Sequence, residues 1–233
     1  MRVLVIGGSG RVGTGVLPYL AKDHDVLNLD VRPPQVPAGT YVAGSLFDRE
    51  LLKKLLDGAD GMIYMALGPW PEEVDASYDI NVRGVHYALQ AALDVGLMHV
   101  VYTSTGSVHN ERTSRAFLDE SLPLEAVHVY GFTKGLGERV CEYFSRMHGL
   151  SVIALRLFAP TSHEAWLERC RKGMPNSFTT HADTARAYVA ALQLKDHKGF
   201  DAVFISGDHT GTYVNCAKAK RLLGWEPLDR FTG

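Results

Sequence analysis

Tyr130 and Lys134 stand four residues apart in HVYGFTKGLGERV, residues 128–140, and the pair has a chemical reading. Four residues are about one helical turn, so on a helix the phenol and the ammonium share a face. An unperturbed phenol ionises near pKa ~10 and is a poor base at neutral pH, but a neighbouring cation favours its anion. A phenol tuned in this way can take the proton of a secondary alcohol while the hydride leaves for an acceptor. Three glycines, Gly131, Gly135 and Gly137, crowd the same segment. Each costs about 1 kcal/mol against Ala in a helix interior, so something other than propensity must favour them. The expectation is close approach of a cofactor, a substrate or a partner helix.

The second chemical signal is GGSGRVG, residues 7–13, with glycines at Gly7, Gly10 and Gly13. It follows an apolar run, VLVIG, and opens a segment with helical spacing. Strand, tight turn and helix start bring backbone N–H groups and a positive helix end to a pyrophosphate, and a Cβ would stand in the way. The turn predicts a bound dinucleotide, with Gly7, Ser9, Gly10, Arg11, Val12 and Gly13 about its phosphates. Asp30 closes the next apolar run, 17 positions after Gly13. A carboxylate there accepts from both hydroxyls of the adenosine ribose and repels a 2′-phosphate, so NAD is expected over NADP. Arg32 complicates this, because its guanidinium could pair with such a phosphate.

These groups need a scaffold, and the chain supplies one by alternation. Strand-type runs recur at 3–7, 26–30, 62–67, 100–104, 151–158 and 202–207, separated by segments with helical spacing. The runs are nearly all apolar, as burial on both faces requires. The fold class is therefore α/β, a Rossmann-type doubly wound parallel sheet. RPPQVPAG, 32–39, reads as a loop before a short third strand. Residues 1–158 form the expected dinucleotide-binding domain with the catalytic residues. Residues 159–233 form a small substrate-side lobe sharing the same core, with an excursion over 159–180 before the helix HADTARAYVAALQ.

The composition excludes several classes. At 233 residues and 46% hydrophobic, the chain can bury a substantial core. Its 24 basic and 26 acidic residues are spread along it, which leaves no basic stripe for nucleic acid or a membrane surface. Three cysteines, Cys141, Cys170 and Cys216, without CxxC suggest neither a disulfide framework nor zinc, and a cytoplasmic protein is expected. His163-Glu164 lacks the second histidine of a zinc-binding helix, so no metal is expected. Trp70 and Trp166 could line a pocket, but packing explains them as well.

Beyond the two signals above, AGSLFD (43–48), MIYMAL (62–67), INVRGVHYALQAA (80–92), VVYTSTGSVH (100–109), LRLFAP (155–160) and RLLGWEP (221–227) follow in order. Together with GGSGRVG and YGFTK, they resemble the extended short-chain dehydrogenase/reductase superfamily, its NAD-dependent epimerase/dehydratase group, over essentially the whole chain. The resemblance implies that Thr105, 25 positions before Tyr130, orients the substrate oxygen. It implies that Tyr130 is the base and that Lys134 also bridges to the nicotinamide ribose. Further cofactor contacts are implied at Asp30, Arg32, Ser45, Leu46, Met65, Ala66, Leu67, Thr103 and Phe158. Thr103 and Ser104 either touch the cofactor or support the strand end. Substrate contacts are implied at Thr105, Gly106, Ser107 and His109, active-site support at Asn81, and a homodimer through the helices of INVRGVHYALQAA and YGFTKGLGERV.

Departures from the pattern narrow the activity. Ser45 stands where an acid usually meets the adenine, and His109 where a tyrosine is common. Gly106 and Ser107 replace the Asp-Glu pair of dehydratases, and neither exchanges protons near neutral pH, which disfavours dehydration. The excursion after LRLFAP is too short to suit a nucleotide-linked sugar. In compactness and in its LLGWEP ending the chain is similar to uronate dehydrogenases. The expectation is an NAD-dependent oxidoreductase acting on a secondary alcohol of a sugar or sugar acid. An NAD-dependent sugar or nucleotide-sugar epimerase is the rival. The third reading is an NAD-binding sensor without turnover, which has no need of Thr105 and Lys134 together.

Overall fold

The computed structural model describes residues 1–69, 73–109, 118–174 and 177–231. Seven strands form one sheet: β1 (Arg2–Ile6), β2 (Asp25–Asp30), β3 (Thr40–Ala43), β4 (Gly61–Tyr64), β5 (His99–Thr105), β6 (Ser151–Leu157) and β7 (Phe200–Ile205). Their order is β3-β2-β1-β4-β5-β6-β7, and every pair is parallel. The expected doubly wound α/β sheet is what the chain forms. β3 is the short strand expected after RPPQVPAG, and β7 extends the same sheet through residues that follow the 159–180 excursion.

Helices α1 (Arg11–Leu20), α7 (His181–Gln193) and α8 (Ala217–Leu223) cover one face. Helices α2 (Arg49–Leu56), α4 (Val85–Asp94) and α5 (Val129–His148) cover the other. Side chains alternate along a strand, so each strand divides between two cores. Leu4, Ile6, Tyr64 and Tyr102 pack toward α4 and α5, whereas Val3, Val5, Ile63 and Val101 pack toward α1 and α7. Burial on both faces explains why the strand runs read as continuous apolar stretches.

Before α4 lie α3 (Val74–Tyr78) and a π-helical turn over Asp79–Gly84. A π turn widens the helix by one residue and re-aims side chains. Here it carries Asn81, fully buried, whose Nδ2 donates to Thr133 Oγ1 at 3.0 Å and whose Oδ1 accepts from the Gly68 amide at 3.4 Å. α6 (His163–Arg171) lies in the excursion between β6 and α7, with Trp166 buried in it; Trp70 lies outside the described residues. No helix among the described residues is long and apolar enough to cross a membrane.

α5 is the helix predicted from the Tyr130 segment, closed by Gly149 in the left-handed conformation at φ 72°. Two of its glycines are crowded by the chain itself, a reason the sequence reading had not offered. A Cβ on Gly131 would collide with the Ser107 carbonyl, and one on Gly137 with the Tyr102 phenol and, at 2.6 Å, the Asn81 carbonyl. At Gly135 a Cβ would make only ordinary contact, 3.6 Å from Leu124. Two of the three glycines thus let α5 lie against the end of β5 and the π turn.

Candidate active site

The glycine turn joins β1 to α1 at the carboxyl end of the sheet, where ligands bind in open α/β folds. Gly7 has φ +85° and donates its amide to the Leu29 carbonyl at 2.9 Å. A Cβ there would strike the Ala66 backbone, and one on Gly13 the Gly8 carbonyl, so the protein itself demands both glycines. Gly10 is different, since a Cβ would meet only the Gly7 carbonyl at 3.3 Å. Gly10 is also the N-cap of α1, with no side-chain cap and no acid in the first turn. An anion approaching those amides accounts for a glycine that packing does not need, and a dinucleotide pyrophosphate fits.

Asp30 ends β2 beside this turn. Its Oδ2 accepts from the Ser9 amide and its Oδ1 from the Arg32 amide, each at 3.0 Å. Asn28 Nδ2 donates to Ser9 Oγ at 3.1 Å. Each carboxylate oxygen keeps a lone pair for a ribose hydroxyl. The Arg32 side chain is exposed, and Arg11 is exposed in front of the turn, while Val12 packs into the core. Met65 and Ala66 are buried beyond β4, and Leu67 is 47% exposed. Ser45 Oγ accepts from the Phe47 amide at 3.1 Å, and Leu46 packs close to Gly84. Phe158 lies against Gly106, with its ring 5.4 Å from that of Phe204.

The folded chain brings Thr105, Tyr130 and Lys134 together. Thr105 is the last residue of β5, and its hydroxyl faces the phenol of Tyr130, in the first turn of α5, closely enough to favour the phenol's anion. The same hydroxyl oxygen accepts from the Ser107 amide at 3.2 Å. Burial pushes the phenol up from its ordinary value, and the Thr105 hydroxyl and the charge of Arg11 pull it back. Lys134 is 2% exposed, and burial holds its ammonium down to about 7. Its Nζ donates to the Thr103 carbonyl at 2.9 Å and the Ala66 carbonyl at 3.3 Å, 5.1 Å from the centre of the Tyr102 ring. Two carbonyls hold the ammonium of Lys134, the cation the spacing suggested, and Arg11 adds a charge that favours the phenol's anion.

Thr103 Oγ1 lies 2.7 Å from the Tyr188 hydroxyl of α7, and its side chain braces the strand end, one of the two roles expected of it. His109 is 2% exposed, with Nδ1 3.0 Å from the Pro123 carbonyl and Nε2 3.0 Å from Arg156. Both ring nitrogens have partners inside the protein, which leaves none for a substrate. Gly106 is buried under Phe158, and Ser107, half-buried, presses its carbonyl on Gly131.

Sequence reasoning missed the residues that frame this site. Arg156 and Glu138 form a buried ion pair beneath it. The His181 ring lies against Gly15, one turn along α1 from Arg11, and burial and the Arg11 charge hold its imidazole low. The only sequence signal for Glu138 was its place one turn after Lys134.

Residues 3–186 match the NAD dependent epimerase/dehydratase family. The chain belongs to that family. An L-arabinose 1-dehydrogenase (NAD(P)(+)) of Haloferax volcanii is 29% identical, covering 98% of this chain and 96% of its own. An NAD-dependent glucose-6-phosphate dehydrogenase of the same organism is 25% identical over 97% and 93%. A short-chain dehydrogenase/reductase superfamily protein from Agrobacterium tumefaciens, solved with bound NAD, superposes with a TM-score of 0.81 at 20% identity. That alignment covers 99% of this chain and 93% of the other. The family and the fold implied by the motifs are both found.

Proposed function

We propose that this family member is an NAD-dependent oxidoreductase that removes hydride from a secondary alcohol of a small sugar or sugar acid. The meeting of Thr105, at the end of β5, with Tyr130, in the first turn of α5, carries the reading, because it sets an orienting hydroxyl and a proton acceptor at one point beside the glycine turn. The turn and the α1 amides hold the pyrophosphate, and Asp30 holds the adenosine ribose. Bound NAD supplies the hydride acceptor. Thr105 orients the substrate oxygen, Tyr130 takes its proton, and Lys134 and Arg11 set the charge around the phenol. Asp30 favours NAD over NADP by repelling a 2′-phosphate.

Full-length similarity to two sugar dehydrogenases supports the substrate class. The short run from β6 through α6 to α7 leaves little chain to hold a nucleotide diphosphate. The outer face of α5 exposes Phe132, Tyr143 and Met147, and supports a homodimer through α4 and α5. No disulfide joins Cys141, Cys170 and Cys216, which suits a cytoplasmic setting.

The test is incubation with NAD and a panel of aldoses, uronic acids and nucleotide sugars, reading both reduced nicotinamide and sugar products. Stoichiometric reduced cofactor with a free sugar or sugar acid is expected. An isomerised sugar without net reduction would replace the dehydrogenase with an epimerase. Tyr130→Phe is expected to keep NAD affinity within about three-fold and to lose about 10²-fold or more in turnover; unchanged turnover would remove Tyr130 as the base.

A further inference from the structure

One buried ion pair pins the chain on both sides of Thr105. Arg156, in β6, donates to Glu138, in α5, through Nε at 2.9 Å and Nη2 at 2.7 Å. Ser104, just before Thr105, donates its hydroxyl to Glu138 Oε1 at 2.5 Å. His109, just after the 3₁₀ turn Gly106–Val108, meets the same Arg156 at Nη1, 3.0 Å from Nε2. A guanidinium only donates and a carbonyl only accepts. His109 therefore carries its hydrogen on Nδ1, toward the Pro123 carbonyl, and keeps Nε2 bare for Arg156.

We propose that His109 is a positioning residue for Thr105: a neutral imidazole, fixed in one tautomer, that ties the turn after β5 to the Arg156–Glu138 pair. This rests on the dehydrogenase reading, in which Thr105 orients the substrate. A residue that only filled space would need neither bare nitrogen nor fixed tautomer. Tyr130 faces Thr105 from α5, and Glu138 lies two turns further along that helix. The ion pair thus sets the distance between the orienting hydroxyl and the base from below, and His109 extends that control to the far end of the turn.

The tie depends on charge. A proton on Nε2 would place an imidazolium against a guanidinium at hydrogen-bond distance and break the contact. The ring is faced by Arg156 from β6, Glu138 from α5, Asp119 from the stretch before α5, and the Phe204 ring from β7 at 5.5 Å, while the Glu120 carbonyl accepts from Arg156 Nη1 at 3.5 Å. Glu120 Oε1 is occupied by the Phe204 amide. Burial first, and Arg156 second, hold the imidazole below its ordinary value against the pull of Pro123, Glu138 and Asp119. The neutral ring persists through the ordinary imidazole range, and the tie is lost as pH falls through the lowered value.

Two variants and one spectrum test this. His109→Gln keeps an acceptor for Arg156 and a donor for Pro123 but cannot take the proton. It is expected to hold kcat/KM within about three-fold at neutral pH and to lose the acid limb that His109 gives the wild type. His109→Phe fills the space, leaves Arg156 Nη1 with only the long 3.5 Å bond to the Glu120 carbonyl, and is expected to lower kcat/KM about ten-fold or more with NAD affinity unchanged. A phenylalanine variant with wild-type kcat and KM, or a glutamine variant that keeps the acid limb, would overturn the proposal. Imidazole ¹⁵N correlation spectra of the wild type decide it without any turnover: at neutral pH Nε2 of His109 must be unprotonated, and a protonated Nε2 ends the proposal. A missing activity with the expected spectrum would instead count against the dehydrogenase reading.

Discussion

Replacing Lys134 with Met should make the protein more stable while abolishing its turnover. The ammonium is 2% exposed and held by two carbonyls, with burial taking it from 10.5 to about 7. At about 1.4 kcal/mol per pKa unit, charging this group in the fold costs on the order of 5 kcal/mol at and below neutral pH. Removing it leaves the Thr103 and Ala66 carbonyls without that donor, a loss of about 1 kcal/mol each and more if no water replaces it. A net gain of about 2 kcal/mol remains, which for a chain of this size raises Tm by about 4–8 °C. The sign of the pH dependence is diagnostic. Between about 7 and 10.5 the unfolded lysine binds more proton than the folded one, so wild-type stability rises with pH across that window. The variant lacks this rise, and its advantage should be largest at pH 7 and shrink toward pH 10. Calorimetric melts of both proteins at pH 6.5, 8 and 9.5 read it directly. A variant less stable than wild type at pH 6.5, or a gap indifferent to pH, would refute the reasoning that the ammonium is buried at a cost for chemistry.

Other perturbations separate packing from binding. Gly10→Ala should change stability by less than about 0.5 kcal/mol, because its Cβ meets only one carbonyl at 3.3 Å, while titration calorimetry shows NAD affinity down about ten-fold or more. Gly13→Ala drives a Cβ into the Gly8 carbonyl and should lower urea stability by about 1–3 kcal/mol or more, with or without cofactor. Glu138→Leu leaves Arg156 buried without its carboxylate and should cost about 3–5 kcal/mol in urea melts; adding Arg156→Met should recover most of it. Recovery of stability without recovery of turnover in that double variant would separate the role of the pair in folding from its role in holding Thr105.

Much of this was legible from local pattern. The glycine turn, the acid closing β2 and the Tyr130 helix each lie within one or two adjoining elements, where spacing alone fixes geometry. Six of the seven strands announced themselves because burial on both faces forces apolar runs that solvent-facing strands avoid, whereas β3, partly exposed, was placed by the loop before it. Thr105 was reached through the order of motifs, and its place facing Tyr130 at the end of β5 gives that ordering a physical form. Where side chains finally point was not legible. Thr103 finds Tyr188 85 positions away, and Lys134 finds Ala66 68 positions away, contacts that no spacing rule reaches.

By itself the sequence determined the parallel sheet, the glycine turn and the Tyr130–Lys134 pair, since each follows from periodicity or from a motif within a single connection, and it reached Thr105 through the family resemblance. Only the tertiary structure decided which charge meets which. Parallel strands come together through crossovers, so neighbours across the sheet are remote in the chain. Burial at those junctions leaves Lys134 with carbonyl partners, Arg11 with the phenol, and His109 with Arg156.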